Sequence, residues 1–291
     1  MDREQTGKLM RIGGAAATVG VVSCVHAAAK DMPLGQIMAL RAFVSGVLIL
    51  LYGLLFKLRS DLLPRRWSPH LVRGLLACCA MALAYFAAAR LPVSQAQTLS
   101  YLAPLIVMPI AMMRLGETPS GRLLLGLVLG FVGVVLILGV SFDSGAGAVW
   151  GALAGIAGAA VIAVIQVNVR AMTATESAIS IALSFTVIVT AVTGLSALAG
   201  NWVWPQGNLL WVILAAGMFG ALNLVLFAES LARIPASVAA PLDYTGLLWA
   251  LLIDWFVFAQ FPGALGITGS VLVTVSALVI VLLPRPGTST S

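Results

Sequence analysis

Long apolar stretches alternate with short polar or Pro/Gly-rich segments along almost the whole chain. A helix needs about 20 apolar residues to cross the hydrocarbon core of a bilayer. Ten stretches approach this length, at residues 10–28, 34–56, 71–89, 93–113, 121–140, 148–167, 174–198, 209–228, 237–259 and 262–283. The pattern predicts an all-α integral membrane protein with ten transmembrane helices, followed by a polar tail over residues 285–291.

The segment 89–101 returns in register as the segment 232–244, at a constant offset of 143 residues. The identical positions are Ala89/Ala232, Arg90/Arg233, Pro92/Pro235, Ser94/Ser237, Ala96/Ala239, Leu99/Leu242 and Tyr101/Tyr244. An offset close to half the chain predicts two five-helix repeats, at residues 1–147 and 148–284. Because five is an odd number of spans, the second repeat enters the membrane from the opposite side, which makes the pair an inverted repeat.

Basic residues are concentrated on one side of this arrangement. With the N-terminus in the cytoplasm, thirteen Lys and Arg residues, Arg11 and Arg73 among them, belong to cytoplasmic segments, and only Lys30 and Arg90 belong to the other side. Short cytoplasmic loops carry such an excess of basic residues. Both termini are therefore predicted to be cytoplasmic.

The composition agrees with a membrane protein and narrows the chemistry. Of the 291 residues, 61% are hydrophobic and 9% are charged, against about 25% charged residues in a soluble domain. The net charge of +6 comes from the short loops and predicts no nucleic-acid partner. There is no P-loop, HExxH or GxSxG motif, and two histidines with scattered carboxylates make no metal-ligand pattern. Neither a cofactor, nor a metal site, nor an enzyme activity is predicted.

Several motifs of the repeat occur in a recognisable order. They are the turn at residues 89–96, Tyr101-Leu-Ala-Pro104, Leu115-Gly-Glu117 and Gly126…Gly130…Gly133. In these motifs the chain resembles the drug/metabolite transporter superfamily, in its ten-helix EamA-like branch. The second half departs from the pattern, because Phe258-Ala-Gln260 replaces Leu-Gly-Glu. The resemblance implies an exporter or importer of small metabolites in the bacterial inner membrane, similar to the aromatic amino acid exporters, with a cavity lined by spans 1, 3, 4, 6, 8 and 9.

Two tyrosines of the repeat are the first candidates for a substrate site. Tyr101 and Tyr244 each lie nine residues past a proline that begins a span, about 14 Å along the helix, and they approach the midplane from opposite sides. Substrate sites of repeat-built transporters lie at this depth. Two tyrosine rings could sandwich an apolar side chain between them; the alternative is that both rings pack between helices.

Other polar or aromatic residues inside the spans are candidates because polar groups are costly in a membrane. They are Gln97, Ser100, Tyr85, Gln166, Asn223 and Trp249. The polar ones could instead serve helix packing, and Trp249 and Tyr85 could instead face lipid. Asp243 adds a carboxylate beside Tyr244 and could bind a substrate ammonium group or carry a proton. Alternatively, Asp243 points into a water-filled vestibule or pairs with Arg41. Arg41 is the one basic residue that the sequence places well inside a span.

These residues favour a secondary transporter. A cavity rich in tyrosine and amide groups, with few opposed charges, suits an aromatic or large neutral amino acid better than a phosphate or nucleotide. We predict export of an amino acid across the inner membrane by alternating access, with other small metabolites or drugs as the alternative. A channel would need a selectivity filter and a membrane enzyme a catalytic constellation, and the sequence shows neither. It is equally compatible with a monomer and a homo-oligomer.

Overall fold

The computed structural model describes residues 2–56, 62–88, 90–91, 98–138, 146–200, 202–258 and 263–282, except for a few side chains that include those of Tyr85 and residues 253–258. Within these ranges the chain is all-helical and contains no strand. The helices are α1 (Arg3–Ala28), α2 (Leu34–Leu55), α3 (Trp67–Ala88), α4 (Ala103–Leu115), α5 (Gly121–Leu138), α6 (Ala146–Met172), α7 (Ala178–Gly194), α8 (Asn208–Arg233), α9 (Ala236–Leu242), α10 (Thr245–Phe258) and α11 (Ala264–Leu282), with a short 3₁₀ helix (Leu195–Ala199) after α7.

Nine segments of the described chain are long and apolar enough to cross a membrane, and a shorter apolar segment, Ala236–Leu252, accounts for a further span. The predicted all-α membrane fold is thereby confirmed. One boundary differs in a way that affects the site. The first helix begins at Arg3, seven residues before the predicted span at residue 10, so Arg11 lies eight residues into the helix instead of at its end, and it is buried.

The fourth and ninth spans are both broken at their paired tyrosines. Residues 98–100 are helical, but Tyr101 and Leu102 form a turn before α4. The ninth span turns likewise at Asp243 and Tyr244, between α9 and α10. The backbone amides at both turns bond three residues back instead of four, which tightens the helix locally. A proline near each turn, Pro104 in α4 and Pro241 in α9, removes an amide donor and so favours the break.

Each helix contact named below has an equivalent between the corresponding helices of the other half of the chain. α1 packs against α8 as its counterpart α6 packs against α3, and α4 contacts α6 as α10 contacts α1. α2 packs against its own counterpart α7, and α5 packs against its own counterpart α11. These contacts agree with a repeat of five spans. The inversion of the repeat across the membrane, and the cytoplasmic position of both termini, stay predictions.

Glycines allow α5 and α11 to come into backbone contact. A Cβ atom at Gly269 would lie 2.5 Å from the carbonyl oxygen of Gly133 and 2.9 Å from the amide nitrogen of Ile137. On the same face of α5, a Cβ atom at Gly130 would lie 2.5 Å from Cδ2 of Tyr244. The sequence leaves open whether such glycines pack within one chain or between protomers, and these contacts lie within the chain.

Candidate functional site

A cavity of about 390 Å³ lies between the two halves, bounded by α1, the fourth span, α6, α8 and α10. The candidates on its wall are Tyr101, Ser100, Asp243, Asn223 and Gln166. Tyr244 and Trp249 are not part of this lining. Gln97 and the side chain of Tyr85 lie outside the described part of the chain. None of the described α3 side chains lines the cavity, so its wall comes from spans 1, 4, 6, 8 and 9 of the six that the resemblance implies.

The two repeat tyrosines meet, but in unequal positions. Their ring centroids are 6.0 Å apart with the planes tilted by 53°, so the rings contact each other directly and leave no room for a side chain between them. Tyr101 lines the cavity, whereas Tyr244 is fully buried behind it against Gly130. Within the described residues the Tyr244 hydroxyl has no hydrogen-bond partner. The geometry therefore gives Tyr101 the contact with the cavity and Tyr244 a packing position.

This arrangement predicts different results for the two tyrosines. Tyr244→Phe should leave folding and transport unchanged, because it removes a buried hydroxyl without a partner. Tyr101→Ala should lower kcat/KM for transport by about fivefold, because an aromatic wall contact is worth roughly 1 kcal/mol. Transport kinetics in proteoliposomes, normalised to folded protein by size-exclusion chromatography, measure both. Equal losses in the two variants would contradict the unequal positions.

The charge pair at one end of the cavity is Arg11 with Asp243. Nη2 of Arg11 donates to Oδ2 of Asp243 over 2.6 Å, and Nε2 of Gln166 donates to the same oxygen over 3.0 Å. The Arg11 side chain is buried, whereas that of Asp243 is 28% exposed. The expectation that the cavity holds few opposed charges, with Arg41 as its basic residue, is therefore wrong. Asp243 pairs with Arg11, while Nε of Arg41 is directed at Sδ of Met38 on its own helix.

Arg11 is not among the site residues predicted from the sequence, because it lies near the N-terminus and was counted with the basic residues of a cytoplasmic segment. A signal was present in the sequence. Gly7, Arg11 and Gly14 share one helical face, and two glycines on that face predict a close neighbouring helix. In the structure a Cβ atom at Gly7 would lie 2.8 Å from Cβ of Arg233, at the end of α8. Phe227, which no motif or polar group in the sequence indicates, places its ring 4.4 Å from Cζ of Arg11.

Asn223 serves helix packing as well as lining the cavity. Its amide donates to the carbonyl oxygen of Gly14 over 2.9 Å and to the hydroxyl of Thr18 over 2.6 Å. These bonds tie α8 to α1 beside the cavity. The two roles that the sequence left open for Asn223 therefore occur together in its position.

The Leu115-Gly-Glu117 motif connects the two halves where α4 ends and α9 begins. Gly116 ends α4 with φ of 65°, a left-handed conformation that glycine adopts without strain. The next residue, Glu117, accepts hydrogen bonds from the amides of Ala236 and Ser237 at 2.9 Å each, and from the Ser237 hydroxyl at 2.6 Å. A carboxylate thus satisfies the first amides of α9. Arg170 of α6 approaches the same carboxylate at 4.0 Å.

A larger recess of about 890 Å³ lies at this end of the bundle, between the start of α1, the α4–α5 turn and the end of α11. It contains Glu4, Lys8 and Glu117. Lys8 is satisfied by Glu4 at 2.9 Å and by the carbonyl oxygen of Val281 at 3.4 Å. Because these charges are paired and the recess reaches only the start of α9, without the residues of either break, the smaller cavity is the better candidate for the substrate site.

Comparisons with known proteins agree with this architecture. Residues 5–139 match the EamA-like transporter family. The chain is 27% identical over 242 residues to an S-adenosylmethionine uptake transporter of Rickettsia bellii, which covers 83% of this chain and 81% of the relative. It is 24% identical over 258 residues to a pseudopaline exporter of Pseudomonas aeruginosa, covering 88% and 89%. It is 26% identical over 211 residues to a riboflavin transporter of Rhizobium johnstonii, covering 72% and 69%.

A solved crystal structure superposes on the chain with a TM-score of 0.81 and covers 96% of this chain and 98% of the other. The two sequences are 22% identical. The likeness shows a shared fold over nearly the whole length of both chains.

Proposed function

Because the chain belongs to the EamA-like transporter family and is a multi-pass membrane transporter of a small metabolite, we propose that its substrate is an amino acid or an amino-acid-like metabolite with an aromatic or large neutral side chain. The sites of this family's members do not follow from membership alone. The proposal therefore depends on the cavity of this chain.

The observation that carries the proposal is the presence of opposite charges beside aromatic rings in one cavity. Arg11 and Asp243 lie at one end, and Tyr101 and Phe227 contribute rings to the wall. A free amino acid carries a carboxylate, an ammonium group and a side chain close together, so it can use all three parts of this wall. A phosphate or nucleotide carries more negative charge than Arg11 alone can balance beside Asp243.

The volume of the cavity and one relative support the same class of substrate. About 390 Å³ lies near the lower end of the roughly 300–1,000 Å³ that small-molecule sites occupy, which favours a solute of about amino-acid size. The S-adenosylmethionine uptake transporter is named for a solute that contains a complete amino acid group. That chemistry is compatible with a charge pair in the cavity.

The transport cycle that we propose is alternating access between the halves at residues 1–147 and 148–284, with export across the inner membrane as its direction. The helix pairs that survive exchange of the halves support this cycle, because repeats that exchange conformations open a central site to one side at a time. The relatives include a transporter named for uptake and one named for export, so direction is measured separately.

The test is transport by purified full-length protein in proteoliposomes. We expect saturable counterflow of labelled phenylalanine, tryptophan, tyrosine or leucine, and no saturable counterflow of riboflavin or S-adenosylmethionine. Liposomes without protein provide the background. Export is tested in cells that express the chain, which should release the transported amino acid faster than cells expressing Tyr101→Ala.

Three outcomes would contradict the proposal in different ways. Saturable transport of riboflavin or S-adenosylmethionine, without any amino acid, would reject the substrate and leave the carrier. Flux that rises linearly with concentration would indicate a channel. Accumulation of the amino acid in expressing cells would show uptake instead of the proposed export.

A further inference from the structure

The guanidinium group of Arg11 is buried with most of its donors unused. Arg11 is 2% exposed, and Nη2 holds Asp243. Nε and Nη1 have no hydrogen-bond partner among the residues that the structure describes. A guanidinium group offers five N–H donors, and leaving such donors unpaired away from water is costly. The described residues therefore supply no acceptor for these donors, and a ligand that displaces part of the cluster would supply one.

Two neighbours fix the direction of this group. The ring of Phe227 covers one face of the guanidinium at 4.4 Å, and Asp243 holds Nη2 at 2.6 Å. These neighbours come from α8 and from the break between α9 and α10, and all three residues line the cavity. The unused donors are consequently held in position before a ligand arrives, which lowers the entropy cost of binding.

Asp243 links acceptor groups to the same cluster. Gln166 is 4% exposed and donates to Oδ2 of Asp243 over 3.0 Å, while its own Oε1 has no partner within the described residues. Asp243 keeps 28% of its side chain accessible. Unused donors and unused acceptors thus meet within one ion-paired cluster at the cavity wall.

We propose that the unused donors of Arg11 bind the carboxylate of the transported solute, and that Gln166 and Asp243 receive its ammonium group. This assignment rests on the proposed function and specifies it: the carboxylate is the group that the site requires. Arginine binds carboxylates through charge-assisted and often bidentate hydrogen bonds. In the empty site Asp243 supplies a carboxylate from the chain, so the solute and Asp243 compete for the same cation.

The test uses three probes that share a phenyl ring on a two-carbon chain: L-phenylalanine, 3-phenylpropionate without the ammonium group, and 2-phenylethylamine without the carboxylate. Binding to the purified full chain in nanodiscs is measured by isothermal titration calorimetry. For the unmodified chain we expect 3-phenylpropionate to bind at least tenfold more tightly than 2-phenylethylamine. L-phenylalanine should bind at least as tightly as 3-phenylpropionate.

Three variants separate a binding role of Arg11 from a structural one. Arg11→Gln should weaken 3-phenylpropionate binding at least tenfold. Because this variant leaves Asp243 without its partner and could fail to fold, the double variant Arg11→Gln/Asp243→Asn removes both charges and should show the same loss. Asp243→Asn alone removes the competing carboxylate and should tighten 3-phenylpropionate binding at least threefold while weakening L-phenylalanine relative to it.

The outcomes divide cleanly between this inference and the proposed function. Unchanged 3-phenylpropionate binding in the double variant, a preference for 2-phenylethylamine, or no binding of 3-phenylpropionate to the unmodified chain would each overturn the carboxylate site. Arg11-dependent binding of 3-phenylpropionate without amino acid transport would keep the site and reject the proposed substrate. Amino acid transport that persists in the double variant would keep the proposed substrate and reject the carboxylate site.

Discussion

Replacing Gly269 with alanine is expected to eliminate most of the folded protein. The new methyl group would lie 2.5 Å from the carbonyl oxygen of Gly133 and 2.9 Å from the backbone nitrogen of Ile137. Both atoms belong to the backbone of α5, so a side-chain rotation cannot relieve the contact, and the two helices have to separate. Overpacking of this kind costs roughly 3 kcal/mol or more when the backbone cannot adjust. The yield of monodisperse protein and the midpoint of thermal unfolding in detergent measure the effect.

Gly263→Ala is the matched control for this substitution. Nothing lies within 4 Å of a Cβ atom at Gly263, just before the same helix, so the unfolding midpoint should stay within experimental error. A normal yield and midpoint for Gly269→Ala would show that α5 and α11 do not pack through these glycines.

Replacing Glu117 with alanine is expected to reduce transport nearly to background. The substitution removes the acceptor for three hydrogen bonds from the start of α9 and leaves buried amides of Ala236 and Ser237 without partners. Hydrogen bonds to a charged group contribute roughly 1.5–3 kcal/mol each and do not add fully, so we expect a loss of about 3 kcal/mol. Since α9 leads directly to Asp243, its displacement also moves the charge pair of the cavity. Proteoliposome transport and thermal unfolding report the two consequences.

Glu229→Ala is the control for the loss of a carboxylate. Glu229 pairs with Arg233 one turn further along α8, and partly exposed pairs of this spacing contribute about 0.3–0.5 kcal/mol. Its transport and stability should therefore remain close to those of the unmodified chain. Glu117→Gln, which keeps an acceptor oxygen but not the charge, should fall between the two. Full activity in Glu117→Ala would show that transport does not depend on the hydrogen bonds between Glu117 and the start of α9.

The fold could be predicted from the sequence because a bilayer imposes the strongest local constraint that a chain meets. Apolar length alone identified the spans, since every backbone group in hydrocarbon must be satisfied inside a helix. The repeated segment at 89–101 and 232–244 then paired the halves. Hydropathy could not show that the fourth and ninth spans are interrupted, because a turn of two residues hardly changes the average over a whole span. The prolines at 104 and 241 carried that information.

The site was only partly predictable, for a different physical reason. Tyr101 and Asp243 were found because a polar group inside an apolar span is conspicuous. Arg11 follows Arg3 and Lys8 in a basic N-terminal segment, where a charge is ordinary. Its burial depends on α8 and on Asp243, which are distant in sequence, and no local pattern reports a contact of that range. The deeper burial of Tyr244 compared with Tyr101 likewise depends on Gly130, which lies on another helix.

The pairing of Arg11 with Asp243 also sets a timetable for biogenesis. The two residues are 232 positions apart, and a ribosome that adds about 5–20 residues per second needs on the order of 10–50 s to pass from one to the other. During that interval Arg11 has neither Asp243 nor, until late, Phe227, so its long side chain must extend to the membrane surface. We therefore expect α1 to reach its final packing only after α8 and the turn at Asp243 have been made.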